Sequence, residues 1–217
     1  MNPSILIAMP CYDCTNHSYT TSALFSLGKL LDSKGILSDI VTISGESFLP
    51  TIRNKNANTF LHSEHTHMFS LDNDILFDPE AVLVLLEMNV NFAAGAYRLK
   101  KPEIEHCFAT NTQSNTDDEI FEVAYVGAGF QLLRKELFLN LIKSGLVRQF
   151  KGIQGTEPIW DFYSPIVEDG LFLPEDISFC RRCSMVGEKI WINKRINLGH
   201  FGGAIYGSND ISISGLG

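Results

Sequence analysis

Ser4-Ile5-Leu6-Ile7-Ala8-Met9, stopped by Pro10, is the stretch on which the fold turns. An apolar run without polar alternation reads as a strand buried on both faces. The loop Cys11-Tyr12-Asp13-Cys14-Thr15-Asn16 follows it. Ala23, Leu24, Leu27, Leu30 and Leu31 then fall on one face of a helix that Gly35 closes. Ile40-Val41-Thr42-Ile43 is a second strand. A strand–helix–strand unit of about 40 residues predicts a parallel pair joined by a right-handed crossover.

Working outward, the alternation continues. Ile52, Ala57, Phe60 and Leu61 mark a helix over residues 50–62, which leads into the strand Met68-Phe69-Ser70-Leu71 and then Asp72-Asn73-Asp74. Asp78 is placed to cap a helix over 80–88, with Pro79 at its first position. Phe92–Tyr97 is a fourth strand. The first ~100 residues therefore predict an α/β fold with a mostly parallel sheet flanked by helices. Beyond them, residues 100–119 read as an exposed loop and Glu122–Val126 as a strand. Helices are expected near 135–144 and 175–186, and a last strand at 189–192. Residues 150–174, rich in aromatics, Gly and Pro, read as a long functional loop. Residues 1–207 form one domain in this reading, and the small polar tail 208–217 is expected to fray.

Composition narrows the function. The chain has 217 residues, 45% hydrophobic and 19% charged, which is globular. Lys plus Arg number 17 against 25 Asp plus Glu, a net charge of −8. That argues against a phosphate-backbone binder, so no nucleic-acid partner is expected, and any polyanionic ligand needs a local cation. No apolar run approaches the ~20 residues of a membrane span. Met1–Pro10 lacks the basic region of a signal peptide, so a cytoplasmic location is the expectation. The five cysteines read as free thiols. Cys11/Cys14 and Cys180/Cys183 are C-x-x-C pairs with enough thiolates for zinc, but they lack the Gly-bearing knuckle of zinc ribbons. The plainer reading is buried small side chains.

Three constellations carry chemistry. Asp72 and Asp74 stand at a strand's carboxyl end, where open α/β sheets collect ligands, and their mutual repulsion asks for a cation. Hard oxygen donors suit Mg²⁺ or Mn²⁺. The competing structural reading is a turn that caps the next helix. Glu175-Asp176 opens a helix, which either favours the helix dipole or places a general base. His200, between Gly199 and Phe201-Gly202-Gly203, is accessible enough to complete a metal shell with the aspartates, although a merely solvated imidazole is equally compatible. His62, His65 and His67 do not make a convincing ligand set.

The order of motifs resembles the GT-A fold glycosyltransferases, most closely family-2-like members. The pieces are Pro10-Cys11-Tyr12-Asp13; Arg53 with Asn56 and Ala57; Asp72-Asn73-Asp74 with Phe77–Val82; Val126–Phe130 with Leu133–Phe138; Pro174–Arg182; and Leu198-Gly199-His200. The resemblance covers nearly the whole chain. It implies a nucleotide-sugar-binding half (1–100) and an acceptor-binding half (101–207). Pro10, Tyr12 and Asp13 would form the base pocket, with Tyr12 stacking on the base. Arg53 would approach base or phosphates, Asp72 and Asn73 the ribose or sugar, and Asp74 and His200 the metal. Asp176 would be the catalytic base. Gly127 and Gly129, with Trp160 and Glu175, would face the acceptor. Ser44-Gly45-Glu46 replaces the acidic pair that the family uses to read the base, leaving Glu46 as its substitute. The Q-x-x-R-W pattern of processive synthases is absent, which argues for transfer of a single sugar.

The expected activity is therefore a metal-dependent, inverting transfer from a nucleotide-diphosphate-sugar to a hydroxyl of a glycan or glycoconjugate. A divalent ion would neutralise the leaving diphosphate, and Asp176 would take the acceptor proton. Two rivals stand beside it. One is a nucleotidyltransferase of sugar phosphates, which usually needs a Gly-rich basic loop after the first strand. The other is a catalytically dead carbohydrate-binding relative.

Overall fold

A computed structural model describes residues 2–12, 14–103, 105–110, 114–151, 157–202 and 204–207. The expectations for Asp13, for the tail 208–217 and for parts of both long loops lie outside these residues. The first half runs β1 (Ser4–Cys11), α1 (Ser18–Ser33), β2 (Leu37–Ser44), α2 (Leu49–His62), β3 (His67–Leu71), β4 (Ile75–Phe77), α3 (Glu80–Glu87) and β5 (Phe92–Ala94). The second half runs β6 (Phe108–Ala109), β7 (Ile120–Val123), β8 (Tyr125–Val126), β9 (Phe130–Arg134), α4 (Lys135–Ser144), β10 (Gln149–Phe150) and β11 (Ile159–Trp160). It ends with β12 (Ile166–Glu168), β13 (Leu171–Leu173), α5 (Glu175–Met185), β14 (Ile190–Asn193), β15 (Leu198–Phe201) and β16 (Ile205–Gly207).

Seven strands form the central sheet in the order β2-β1-β3-β9-β5-β14-β7. β1 pairs in parallel with both β2 and β3, and β5 with β14. β9 and β7 run against their neighbours, so five of the seven strands share a direction. This is the mostly parallel α/β architecture that the alternating pattern predicts. β1 and β3 are buried along almost their whole length, as strands covered on both faces must be. Leu24, Leu27 and Leu31 bury the inner face of α1, and Gly35 at φ +67 ends it where a side chain would be strained.

Four differences from the sequence reading matter for the site. β4 follows Asp74 directly, where the pattern suggested only a turn into a helix. Asp78 accepts the N–H of Glu80 at 3.0 Å, but Pro79 is the N-cap of α3, so the cap lies one residue later than expected while the helix begins at Glu80. β9 lies between β3 and β5 in the sheet centre; its Phe130 stacks edge-on with Phe69 at 4.9 Å. The stretch 150–174 is not one open loop, because it carries the β10–β11 and β12–β13 hairpins. Asn54 of α2 holds that stretch in place: its Oδ1 accepts the N–H groups of Phe162 and Tyr163 at 2.7 and 2.9 Å.

Candidate functional site

Three chain segments meet beyond the carboxyl ends of β1 and β3. The end of β1 and the loop after it bring Pro10 and Tyr12, the start of α2 brings Leu49, and the turn after β3 brings Asp72, Asn73 and Asp74; together they line a cleft of about 360 Å³. Tyr12 is 66% exposed at its rim, free to present its ring to a ligand. Asn73 ties the two loops together, because its amide donates to the Thr15 carbonyl at 2.8 Å and its own carbonyl accepts the His17 N–H at 3.2 Å. A larger cavity of about 590 Å³ lies beside α3, but apolar side chains such as Phe77, Ala81 and Val84 line much of it. The smaller cleft is the candidate site because the concentrated charge sits there.

That charge is organised by one cation. Arg53, on α2, is 4% exposed, and its Nη2 donates to Asp72 Oδ1 at 2.9 Å while its Nε lies 3.7 Å from Glu175 Oε1. Burial disfavours its charge, but the carboxylates of Asp72 first, and then Glu175, outweigh burial and favour the guanidinium. Arg53 therefore lies beneath the cleft, holding carboxylates, and is not extended toward a base or phosphate as the sequence suggested. Glu175 and Asp176 open α5 beside it. Burial pushes both carboxyls above the ordinary range, against the pull of Arg53. Asp176 Oδ1 accepts the N–H of Ile177 at 2.8 Å, which fixes its orientation.

Asp74 and His200 meet through strand pairing. β4 pairs with β15 so that His200 stands opposite Ile75, and the Phe201 N–H donates to the Asp74 carbonyl at 2.8 Å. Asp74 Oδ1 then lies 3.6 Å from His200 Nε2, beyond hydrogen-bond reach, and this buried oxygen has no hydrogen-bond partner among the described residues. His200 Nδ1 lies 2.9 Å from the Arg98 carbonyl, an acceptor, so Nδ1 carries the proton. With the proton on Nδ1, Nε2 is the ring nitrogen that faces the orphan carboxylate oxygen, and in the neutral tautomer it would offer a lone pair there. Two such donors fit a divalent ion, since each bond would be ~2.0–2.2 Å. Among the described residues no group of three His, Cys, Asp or Glu converges, so the remaining positions fall to water and ligand oxygens. Burial would raise the Asp74 carboxyl, but the neighbouring His200 and the Lys100 ammonium outweigh it and hold the pKa at about 2.

The residues expected at the acceptor side have close protein neighbours of their own. A Cβ on Gly127 would stand 2.3 Å from the Tyr97 hydroxyl, and one on Gly129 would stand 2.8 Å from Asp72 Oδ2 and 2.9 Å from that hydroxyl. These glycines make room for Tyr97 and Asp72. Gly129→Ala should therefore cost about 1–3 kcal/mol, read as a lower melting temperature, because both neighbours are held in place. Trp160 is partly buried against the core, and its backbone is pinned on both sides by the Asn58 side chain at 2.8 and 3.0 Å. This placement ties the β10–β11 hairpin to α2. Glu46 sits at the turn after β2, paired with Lys55 at 3.3 Å, and is not among the cleft-lining residues. The five cysteines are free thiols, four of them buried. His65 pairs with Asp39 and His67 with Thr66, so neither joins a metal set.

Sequence reasoning passed over Tyr97 and Lys100. Tyr97 is buried, accepts the Gly129 N–H at 3.1 Å and meets the His200 ring edge-on at 5.0 Å, linking both halves of the site. The aromatic just after a strand was its only signal. Lys100, which bonds to Asp74, offered none.

With this geometry in view, the solved structures agree on the fold. Protein A197 from STIV is 16% identical over 92% of this chain and 86% of that one, with a TM-score of 0.56. The catalytic domain of Drosophila beta1,4galactosyltransferase 7, in complex with xylobiose, is 14% identical, covering 97% of this chain and 69% of that one at a TM-score of 0.51. GalNAc-T7 with UDP, GalNAc and Mn²⁺ is 10% identical, covering 91% of this chain but 43% of that one at a TM-score of 0.53. No protein-family model matches the chain, and no curated protein matches it in sequence. At such identities the likeness establishes the fold, that of GT-A nucleotide-diphospho-sugar transferases. No described helix is long and apolar enough to cross a membrane.

Proposed function

We propose that the chain is a metal-dependent, inverting glycosyltransferase that moves one sugar from a nucleotide-diphosphate-sugar to a hydroxyl of a glycan or glycoconjugate. The observation that carries this reading is that three separate segments of the chain gather their ionisable side chains around the turn after β3: Arg53 links Asp72 to Glu175, which stands beside Asp176, and Asp74 faces His200. The fold and the Mn²⁺ and UDP bound by GalNAc-T7 support it.

Each residue then has a task. Tyr12 stacks on the base from the cleft rim. Asp72, held by Arg53, and Asn73 face the ribose and the sugar. Asp74 and His200 hold Mn²⁺ or Mg²⁺, which when bound supplies the positive charge that a leaving diphosphate requires. Asp176, fixed through one oxygen by the Ile177 N–H, keeps the other for the acceptor proton, and its upward-shifted carboxyl suits a base working nearer neutrality. Asp72 and Glu175 are both engaged by Arg53, so among the described residues neither is offered as a second, nucleophilic carboxylate; direct displacement through an oxocarbenium-like state then inverts the anomeric centre.

Asp74→Ala should weaken both Mn²⁺ and nucleoside-diphosphate binding by about tenfold or more in titration calorimetry, the size of a typical coupling between adjacent sites. Nucleoside-diphosphate binding that is tight and indifferent to EDTA would contradict the metal assignment. Release of pyrophosphate in place of nucleoside diphosphate would favour a nucleotidyltransferase.

A further inference from the structure

Asp74 already has a cation of its own. The Lys100 ammonium bonds to its Oδ2, on the opposite side of the carboxylate from the oxygen that faces His200. Two features show that this contact is built. The lysine sits at the end of a hydrogen-bonded hairpin, in which the Cys107 N–H donates to the Tyr97 carbonyl at 3.0 Å and the Leu99 N–H to the Glu105 carbonyl at 2.8 Å. Its aliphatic stem also passes over Gly202, where a Cβ would stand 2.6 Å from Lys100 Cδ and 2.9 Å from Cγ. The strand that delivers His200 thus continues into the glycine that lets the lysine through. Arg98, two residues before the lysine, supplies the carbonyl that orients His200.

We propose that Lys100 is an intrinsic competitor of the divalent ion at Asp74: it neutralises the carboxylate when no ion is bound and keeps the ion's affinity low until a ligand's oxygens join the site. The proposal rests on the metal reading of Asp74 and His200. An ion seated between Asp74 Oδ1 and His200 Nε2 lies close to a fixed ammonium on the same carboxylate. It must either displace that ammonium from Oδ2 or bear its repulsion, and in a part-buried site such repulsion is only weakly screened. A diphosphate relieves the conflict, because its anionic oxygens give the lysine a second partner as the ion binds.

The test is Mn²⁺ titration of the full chain without nucleotide, with free Mn²⁺ read from its electron paramagnetic resonance signal. Lys100→Met should lower the Mn²⁺ dissociation constant about fivefold or more, and Lys100→Arg should leave it near wild type. Gly202→Ala retains the charge but drives the stem away from Asp74. It should therefore shift affinity in the same direction as Lys100→Met, and it decides the question if that variant does not fold. Unchanged or weaker Mn²⁺ binding in Lys100→Met overturns the proposal. Asp74→Asn separates the two layers: if it binds Mn²⁺ as wild type does, the metal reading fails and the competitor role falls with it. If Asp74→Asn loses the ion while Lys100→Met is unchanged, only the role of the lysine fails.

Discussion

Asp176→Asn should reduce sugar transfer by about 10²–10⁴-fold, the range associated with loss of a general base, while leaving nucleotide binding within a few-fold. The amide keeps the shape and can still accept the Ile177 N–H, but it cannot take a proton. The same substitution should raise the melting temperature at pH 7. Burial lifts the Asp176 carboxyl above its ordinary value, so the folded state binds that proton more tightly than the unfolded chain does. The ionised carboxylate therefore costs stability above its folded pKa, and this cost vanishes below the unfolded pKa. Asn removes a penalty that the active form carries at neutral pH. Activity should likewise fall with acidification along a limb set by a carboxyl shifted upward, visible in the pH profile of kcat/KM. Unimpaired transfer by Asp176→Asn would remove it from the chemistry.

Arg53→Met should be the most destabilising single change at the site. It leaves Asp72 and Glu175 without the cation that holds them and deprives Asp176 of a favourable neighbour. Breaking a buried ion pair by removing one partner costs about 3–5 kcal/mol, because the remaining charge is desolvated without compensation. Acidification should recover part of the loss, since protonation relieves the stranded carboxylates. A melting temperature within about 2 °C of wild type at pH 7 would show that Arg53 does not organise the cluster.

Much of the frame is legible in the sequence, and particular residues explain where it stops. β1, α1, β2, α2, β3 and α3 follow from unbroken apolar runs and 3.6-residue stripes, and α4 from a stripe that Gly145 ends at φ +75. β9 escaped because Phe130-Gln131-Leu132-Leu133-Arg134 runs without a breaker into the Lys135 helix, and a short apolar run there does not announce a strand. Asp72, Asp74 and Asp176 are legible as candidates because a strand's carboxyl end and a helix start lie where open α/β sheets collect ligands, although capping and dipole roles compete for the same residues. The office of Arg53 is not: a basic residue on a helix gives no sign of whether it faces ligand or carboxylates, and only packing against Glu175, more than a hundred residues away, decides. The glycines at 127 and 129 were legible as close approaches, but what approaches them, Tyr97 and Asp72, is a tertiary fact. Lys100 is a long-range partner of the same kind.

Incubating the protein with a panel of nucleotide-diphosphate-sugars, with and without Mn²⁺, and identifying the released nucleotide tests the central claim most directly. The account predicts nucleoside diphosphate from at least one donor, dependent on the ion and lost in both Asp74→Ala and Asp176→Asn. Turnover of a donor that persists in EDTA and in both variants would contradict it.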